Sequence, residues 1–178
     1  MAPTQTVQQP LFAATDGTDS VADLGYRAPA AARAAGITYR QLDYWARTDL
    51  VTPSLRDASG SGTQRLYAFR DIVVLRVVKR LLSAGISLQS IRTAVEWLRE
   101  TDADVAGLTI LSDGTAVYAE TEPDVILDVL AGGQAVFAIG VGKVARDAAV
   151  CLLNTPDNEK VAPDEAAPAR PALAVVAS

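Results

Sequence analysis

The chain has 178 residues, 49% of them hydrophobic, with one cysteine, no histidine and a net charge of −5. That length holds one domain of ordinary size or two small ones with tails. The lone Cys151 excludes an intramolecular disulfide framework, and the absence of histidine excludes imidazole acid–base catalysis. No residue cluster supplies thiolate or imidazole ligands, so neither a metal nor a cofactor is expected. No apolar run reaches the length of a membrane span, and the first residues lack the basic and apolar regions of a secretory signal. The expectation is a cytoplasmic protein with no membrane partner.

Net charge hides an asymmetry. Residues 26–100 carry 12 Lys and Arg against 6 Asp and Glu, a net +6, while the rest carries 4 against 15, a net −11. A basic block in an acidic chain suggests a polyanion-binding surface, although a solvated face of arginine-bearing helices gives the same count.

In chain order, residues 1–24 are polar and aperiodic and read as a disordered arm. "APAAARAAG" then predicts a helix of about two turns, with Pro29 in the first turn and Gly36 in the left-handed position that ends it. In "TYRQ", Thr38 and Gln41 form a capping box, so a second helix starts at Thr38 after a glycine turn. This is the helix-turn-helix pattern. At 100° per residue, Leu42, Trp45 and Ala46 face the core, while Arg40, Asp43, Tyr44 and Arg47 face outward. "VTPSLR" and "QRLY" predict a hairpin around the loop "DASGSGT", with Pro53 marking a short edge strand. "RDIVVLRVVKRLLSAG" predicts an apolar helix that supplies most of the core. "SLQSIRTAVEWLRE" predicts another, capped by Ser87, with Leu88, Ile91, Val95 and Leu98 on one face.

These elements carry a family resemblance. "AGITYRQLDYWARTDLVTPS", "QRLYAFRDI" and "LLSAGISLQSIRTAV" resemble, in order, the recognition helix, the wing strand and the following helix pair of MerR-type bacterial transcription regulators. The likeness covers residues 26–98, and residues 24–153 as a whole look like an actinobacterial MerR-like subgroup. It implies a winged helix-turn-helix whose recognition helix enters the major groove and whose wing lies on the backbone or minor groove. By position it implies Thr38, Tyr39, Arg40, Gln41, Tyr44 and Arg47 as groove-facing residues. The wing residues implied are Arg56, Gln64, Arg65 and Tyr67, with Ser61 and Thr63 at the tip.

The chemistry of these residue types fits. Arginine can hold guanine bidentately or clamp a phosphate, and the hydroxyls of Tyr44 and Tyr67 can donate to phosphate oxygens. Gln41 can read adenine, but a capping box would occupy its amide, and the cap is the favoured reading. For Tyr39, core packing and DNA contact stand level, whereas Trp45 reads as core. Asp43 stands where the family usually has arginine. A carboxylate there repels phosphate, so it either accepts from a cytosine amino group or pairs with Arg40 or Arg47, the favoured reading. The metal-sensing cysteines of some relatives are absent. So is the long coiled-coil dimerisation helix, because "RETDADVAG" breaks the helical pattern where that helix would run.

The second block differs. "LTILSDGTAVYAE" predicts a hairpin at Asp113–Gly114. "EPDVILDVLAGG" predicts a helix, "QAVFAIGVG" a buried strand and "KVARDAAVCLL" a final helix. "GVGKVA" has the G-x-G-x-x-A spacing of a dinucleotide fingerprint after an apolar strand, but the chain ends too soon to complete a doubly wound sheet. As a phosphate loop it fails because Phe137 stands where the first glycine belongs and Val144 replaces the hydroxyl residue. Cys151 reads as a small core residue.

The fold class expected is therefore mostly α. A winged helix-turn-helix over 25–100 is followed by a small β-β-α-β-α dimerisation or effector module over 105–154 and a Pro/Ala-rich flexible tail over 155–178. The module has little core of its own, so its apolar faces should need a second copy. The resemblance implies a nucleoid-associated transcription regulator, not an enzyme. It would bind double-stranded promoter DNA at an inverted repeat as a homodimer, with RNA polymerase as a further partner. The alternative is a protein-interaction adaptor whose winged helix binds an acidic partner and whose second module senses a ligand.

Overall fold

The computed structural model describes residues 21–58, 64–100, 107–114, 116–120 and 137–162. The alanines of the first helix set its architecture. Helix α1, Ala28–Ala35, buries Ala30, Ala31, Ala32, Ala34 and Ala35 and touches strands and helices on several sides. Only small side chains let neighbouring backbones come that close. Pro29 lies in its first turn, and Gly36, at φ 68°, closes it in the left-handed conformation, its N–H reaching the Ala32 and Arg33 carbonyls. Helix α2, Tyr39–Arg47, starts immediately after.

Strand β1, Gly25–Arg27, precedes α1 and is the centre of a three-stranded antiparallel sheet. On one side it pairs with β2, Leu66–Tyr67, in the register Tyr26↔Tyr67 and Arg27↔Leu66. Among the described residues the expected wing hairpin shows one bridge, Arg56↔Leu66. Pro53 is buried at its base, and its missing N–H limits how far the ladder can run. The buried Tyr26 hydroxyl donates to the Val21 carbonyl at 2.9 Å, and burial pushes its pKa up to about 12.

Helix α3, Phe69–Ser83, is the core element, burying Ile72, Val73, Val74, Leu75, Val77, Val78 and Leu81. Its start is fixed by Asp71, whose Oδ2 accepts from the Ser54 amide (2.8 Å), the Ser54 hydroxyl (2.9 Å) and the Ala68 amide (2.9 Å). One oxygen thus ties the helix start to the segment leading into the wing. Gly85, at φ 80°, ends the turn after α3. Helix α4, Leu88–Glu100, follows, with the Ser87 hydroxyl accepting from the Ser90 amide. Ile91, Val95 and Leu98 are buried as the spacing predicts, but Leu88 is 54% exposed. It lies in the first turn, beyond the reach of the described core. Arg92 and Arg99 donate to the Thr48 and Thr52 carbonyls and so strap α4 to the segment that follows α2.

Beyond α4, strands β3 (Thr109–Ser112), β4 (Val117–Glu120) and β5 (Phe137–Gly140) form an antiparallel sheet in the order β4-β3-β5. Gly114, at φ 93°, makes the Asp-Gly turn between β3 and β4. Helix α5, Val141–Leu153, continues directly from β5. The helix expected within 121–134 lies outside the described residues, so the full β-β-α-β-α order does too. Helix α5 packs on α1 and α3 of the same chain, and Ile110, Ile139, Val144, Ala148 and Leu152 share one core with Leu75 and Val78. The inward apolar face of α5 is therefore covered within the chain, whereas Trp97 and Tyr118, where α4 meets β4, stay exposed.

The tail expected from 155 onward is ordered at its start. Residues 157–159 form a 3₁₀ turn, and β6, Lys160–Val161, pairs with the free side of β1 as Gly25↔Val161 and Tyr26↔Lys160. The Arg33–Glu159 ion pair anchors this segment to α1. Two strand residues amid Pro and Ala leave no periodic signal, which is why composition reads them as flexible.

Asp71 yields a stability prediction. Burial raises its carboxyl above the usual aspartate range, against the three hydrogen bonds that lower it. A raised folded value means that this group's stabilisation is complete below the unfolded aspartate range and is lost as pH rises through the folded value. Asp71→Asn keeps an oxygen for all three donors, so urea unfolding should show it at least as stable as the parent at neutral pH and without that pH-dependent loss. Asp71→Ala leaves the donors unpaired and should cost about 1–3 kcal/mol. Equal stability of the Ala and Asn variants would contradict this role.

Candidate nucleic-acid interface

The capping box fixes where α2 begins. The Gln41 amide donates to Thr38 Oγ1 at 3.2 Å, and Gln41 Oε1 accepts from the Thr38 amide at 2.9 Å and the Thr38 hydroxyl at 3.0 Å. Gln41 is thereby occupied as a cap, which takes its carbonyl oxygen away from reading adenine. Leu42, Trp45 and Ala46 are buried and hold the back of the helix to the core. The opposite face is left outward, with Tyr39 at 61% and Tyr44 at 59% exposure. The open question about Tyr39 is thus settled toward the surface. Arg40 is exposed and has no ion-pair partner among the described residues.

Asp43 organises the rest. Its carboxylate pairs with Arg47 one turn along the same helix. Its other oxygen accepts from Arg65 Nη1 at 2.8 Å, across from the wing strand. The Arg65 hydrogen bond is the main reason its carboxyl lies below the usual aspartate range, and Arg47 adds to it. Of the two expected pairings, that with Arg47 forms and that with Arg40 does not. Arg65 also reaches Asp57 at 3.1 Å, and its side chain is only 18% exposed. Arg65 thus clamps α2 to the wing strand.

The other wing residues are placed as follows. Arg56 Nε donates to the Gln64 carbonyl at 3.3 Å, and Gln64 Oε1 accepts from Arg27. Arg27 was not among the expected site residues, and its position just before α1 gave no spacing signal. Tyr67 is fully buried, and burial pushes its pKa up to about 12. Its expected phosphate contact is therefore corrected: the side chain that points inward from β2 is a core residue. Ser61 and Thr63 lie outside the described residues. Together Tyr39, Asp43, Gln64, Arg65 and Arg27 line a cleft of about 590 Å³, with Asn158 and Glu159 of the C-terminal segment also in its lining.

The surface therefore offers an exposed arginine and two exposed tyrosines on a helix whose back is buried, beside a wing held by a carboxylate bridge. Such a helix can enter a groove and donate to phosphates and base edges. Comparison with known proteins agrees with this geometry. Residues 26–97 match the family described as MerR HTH family regulatory protein. Three proteins named as HTH-type transcriptional regulators, one from Mycobacterium bovis and two from strains of Mycobacterium tuberculosis, are each 58% identical to this chain over 132 residues. The match takes in 72% of this chain and 59% of each relative, so the chain spans less than two thirds of their length. Residues 26–97 are a MerR-type helix-turn-helix domain, in a chain that resembles mycobacterial regulators of that class.

Proposed function

We propose that the chain is a sequence-specific, DNA-binding transcription regulator that places α2 in the major groove and the wing on the adjacent backbone or minor groove. The observation that carries this reading is the outward face of α2, where Arg40, Tyr39 and Tyr44 stand free of the core in a MerR-type domain. The names of the mycobacterial relatives support it. In this reading Arg40 reads a base edge, while Tyr44 and Tyr39 donate to phosphates and set register. Asp43 aims Arg47 and Arg65 and keeps their charges from acting as indiscriminate phosphate binders.

Homodimer binding to an inverted repeat remains part of the proposal. It rests on the family resemblance, because the apolar face of α5 is already covered within the chain. Contact with RNA polymerase belongs to the same family-based part. The adaptor alternative uses the same basic face for an acidic protein, and it predicts no affinity for duplexes at low salt. The deciding test is a selection of bound sites from a random duplex pool, followed by affinity across a salt series. DNA binding gives a straight log–log decline as counterions are released, and half-site spacing in the selected sites reports dimer geometry.

Two outcomes follow. Arg40→Ala should flatten preference at one base position of the selected site, costing roughly 1–3 kcal/mol on that site and far less on random DNA. Equal losses on both would exclude base reading by Arg40. Asp43→Ala should free Arg47 and leave Arg65 paired with Asp57 alone, raising affinity for random duplexes and steepening the salt slope while discrimination falls. Unchanged random-duplex affinity and slope would show that Asp43 does not restrain those arginines.

A further inference from the structure

A cavity of about 420 Å³ lies on a different face, between α3, the end of α1 and β5. Arg76, Lys79, Arg80 and Ser83 of α3 form one wall, Ala35 and Gly36 a second, and Phe137 to Ile139 a third. Among the described residues that line it there is no carboxylate. Arg76 carries the clearest signal, since its Nη1 is buried without a hydrogen-bond partner. A desolvated guanidinium nitrogen left unpaired is costly, and native structures rarely keep one without a reason. Lys79 donates to the Gly36 carbonyl, which leaves two of its ammonium hydrogens for another acceptor. Arg80 shares the Asp147 carboxylate, at 3.4 Å, with Lys143, at 3.5 Å. Positions 76, 79 and 80 are neighbours on one helix face, so three like charges are held together with one shared counter-charge among the described residues. Nothing in the α2 and wing surface requires them.

We infer that this cavity binds a small phosphate-bearing molecule. The Arg76 fork and the Lys79 ammonium suit phosphate oxygens, and the Ser83 hydroxyl can donate a further bond. The volume falls in the range of small-molecule sites, which leaves room for more than the phosphate beside Phe137 and Ala35. The site stands on its own geometry and does not depend on the DNA reading.

The test uses the full chain with inorganic pyrophosphate as the probe and sodium chloride of matched ionic strength as the control. Calorimetric titration should show saturable binding and thermal unfolding a raised Tm. Arg76→Met and Lys79→Met should each weaken that binding at least roughly tenfold, the loss expected for a hydrogen bond to a charged group. Should Arg76→Met fail to fold, Ser83→Asp puts a carboxylate into the same cavity at an exposed position and should abolish binding. Absence of saturable binding, or unchanged binding in these variants, overturns the inference. DNA backbone phosphate has the same chemistry, so a loss of duplex affinity in Arg76→Met without pyrophosphate present would assign these cations to DNA and overturn it equally.

Discussion

The close packing of α1 is the constraint on which the other elements depend. Five buried alanines in eight residues let α2, α3 and α5 and the β1 sheet gather around one short helix. A larger side chain at any of these positions would overpack a region where backbones already run near one another. The same helix is the first half of the helix-turn-helix. Its left-handed Gly36 sets the direction of α2, so packing around α1 decides how the arginine-bearing face is presented.

A second layer of control is electrostatic. An acidic residue in the middle of the proposed recognition helix looks like a defect when sequence is compared with family pattern. In the folded chain it is a junction, with Arg47 on one oxygen and Arg65 on the other. Both partners are at least partly open to solvent, so the bridge adds little to stability. Its effect is geometric: it fixes α2 against the wing strand.

Much of this was legible in the sequence because it is local. The cap at Thr38 and Gln41, the glycine end of α1, the inward Leu42 and Trp45 and the pairing of Asp43 with an arginine of its own helix all depend on spacings of three or four residues, although which arginine, Arg40 or Arg47, stayed open. What was not legible depends on contacts far apart in the chain. Arg65 meets Asp43 across 22 residues, and β6 meets β1 across the whole domain. Tyr67 was misread because both residues of its two-residue strand are buried, and no alternation marks such a pair. Likewise, the fate of α5 could not be read from its apolar face alone, since that face is equally suited to a second copy or to α1 and α3.

The covered face of α5 and the docked β6 make the chain more integrated than a reader domain with an attached module. The second block supports α1 from behind, and the C-terminal segment borders the cleft beside Tyr39 and Arg65. The central claim is that the α2 face and the wing base form one DNA-contacting unit. Backbone amide shift mapping of the full chain, titrated with a duplex chosen from a random pool, tests it most directly. The account predicts perturbations concentrated at Thr38–Arg47 and at Arg56 and Gln64–Leu66, with the β4 face unaffected. Saturable duplex binding that leaves Thr38–Arg47 unperturbed would contradict it.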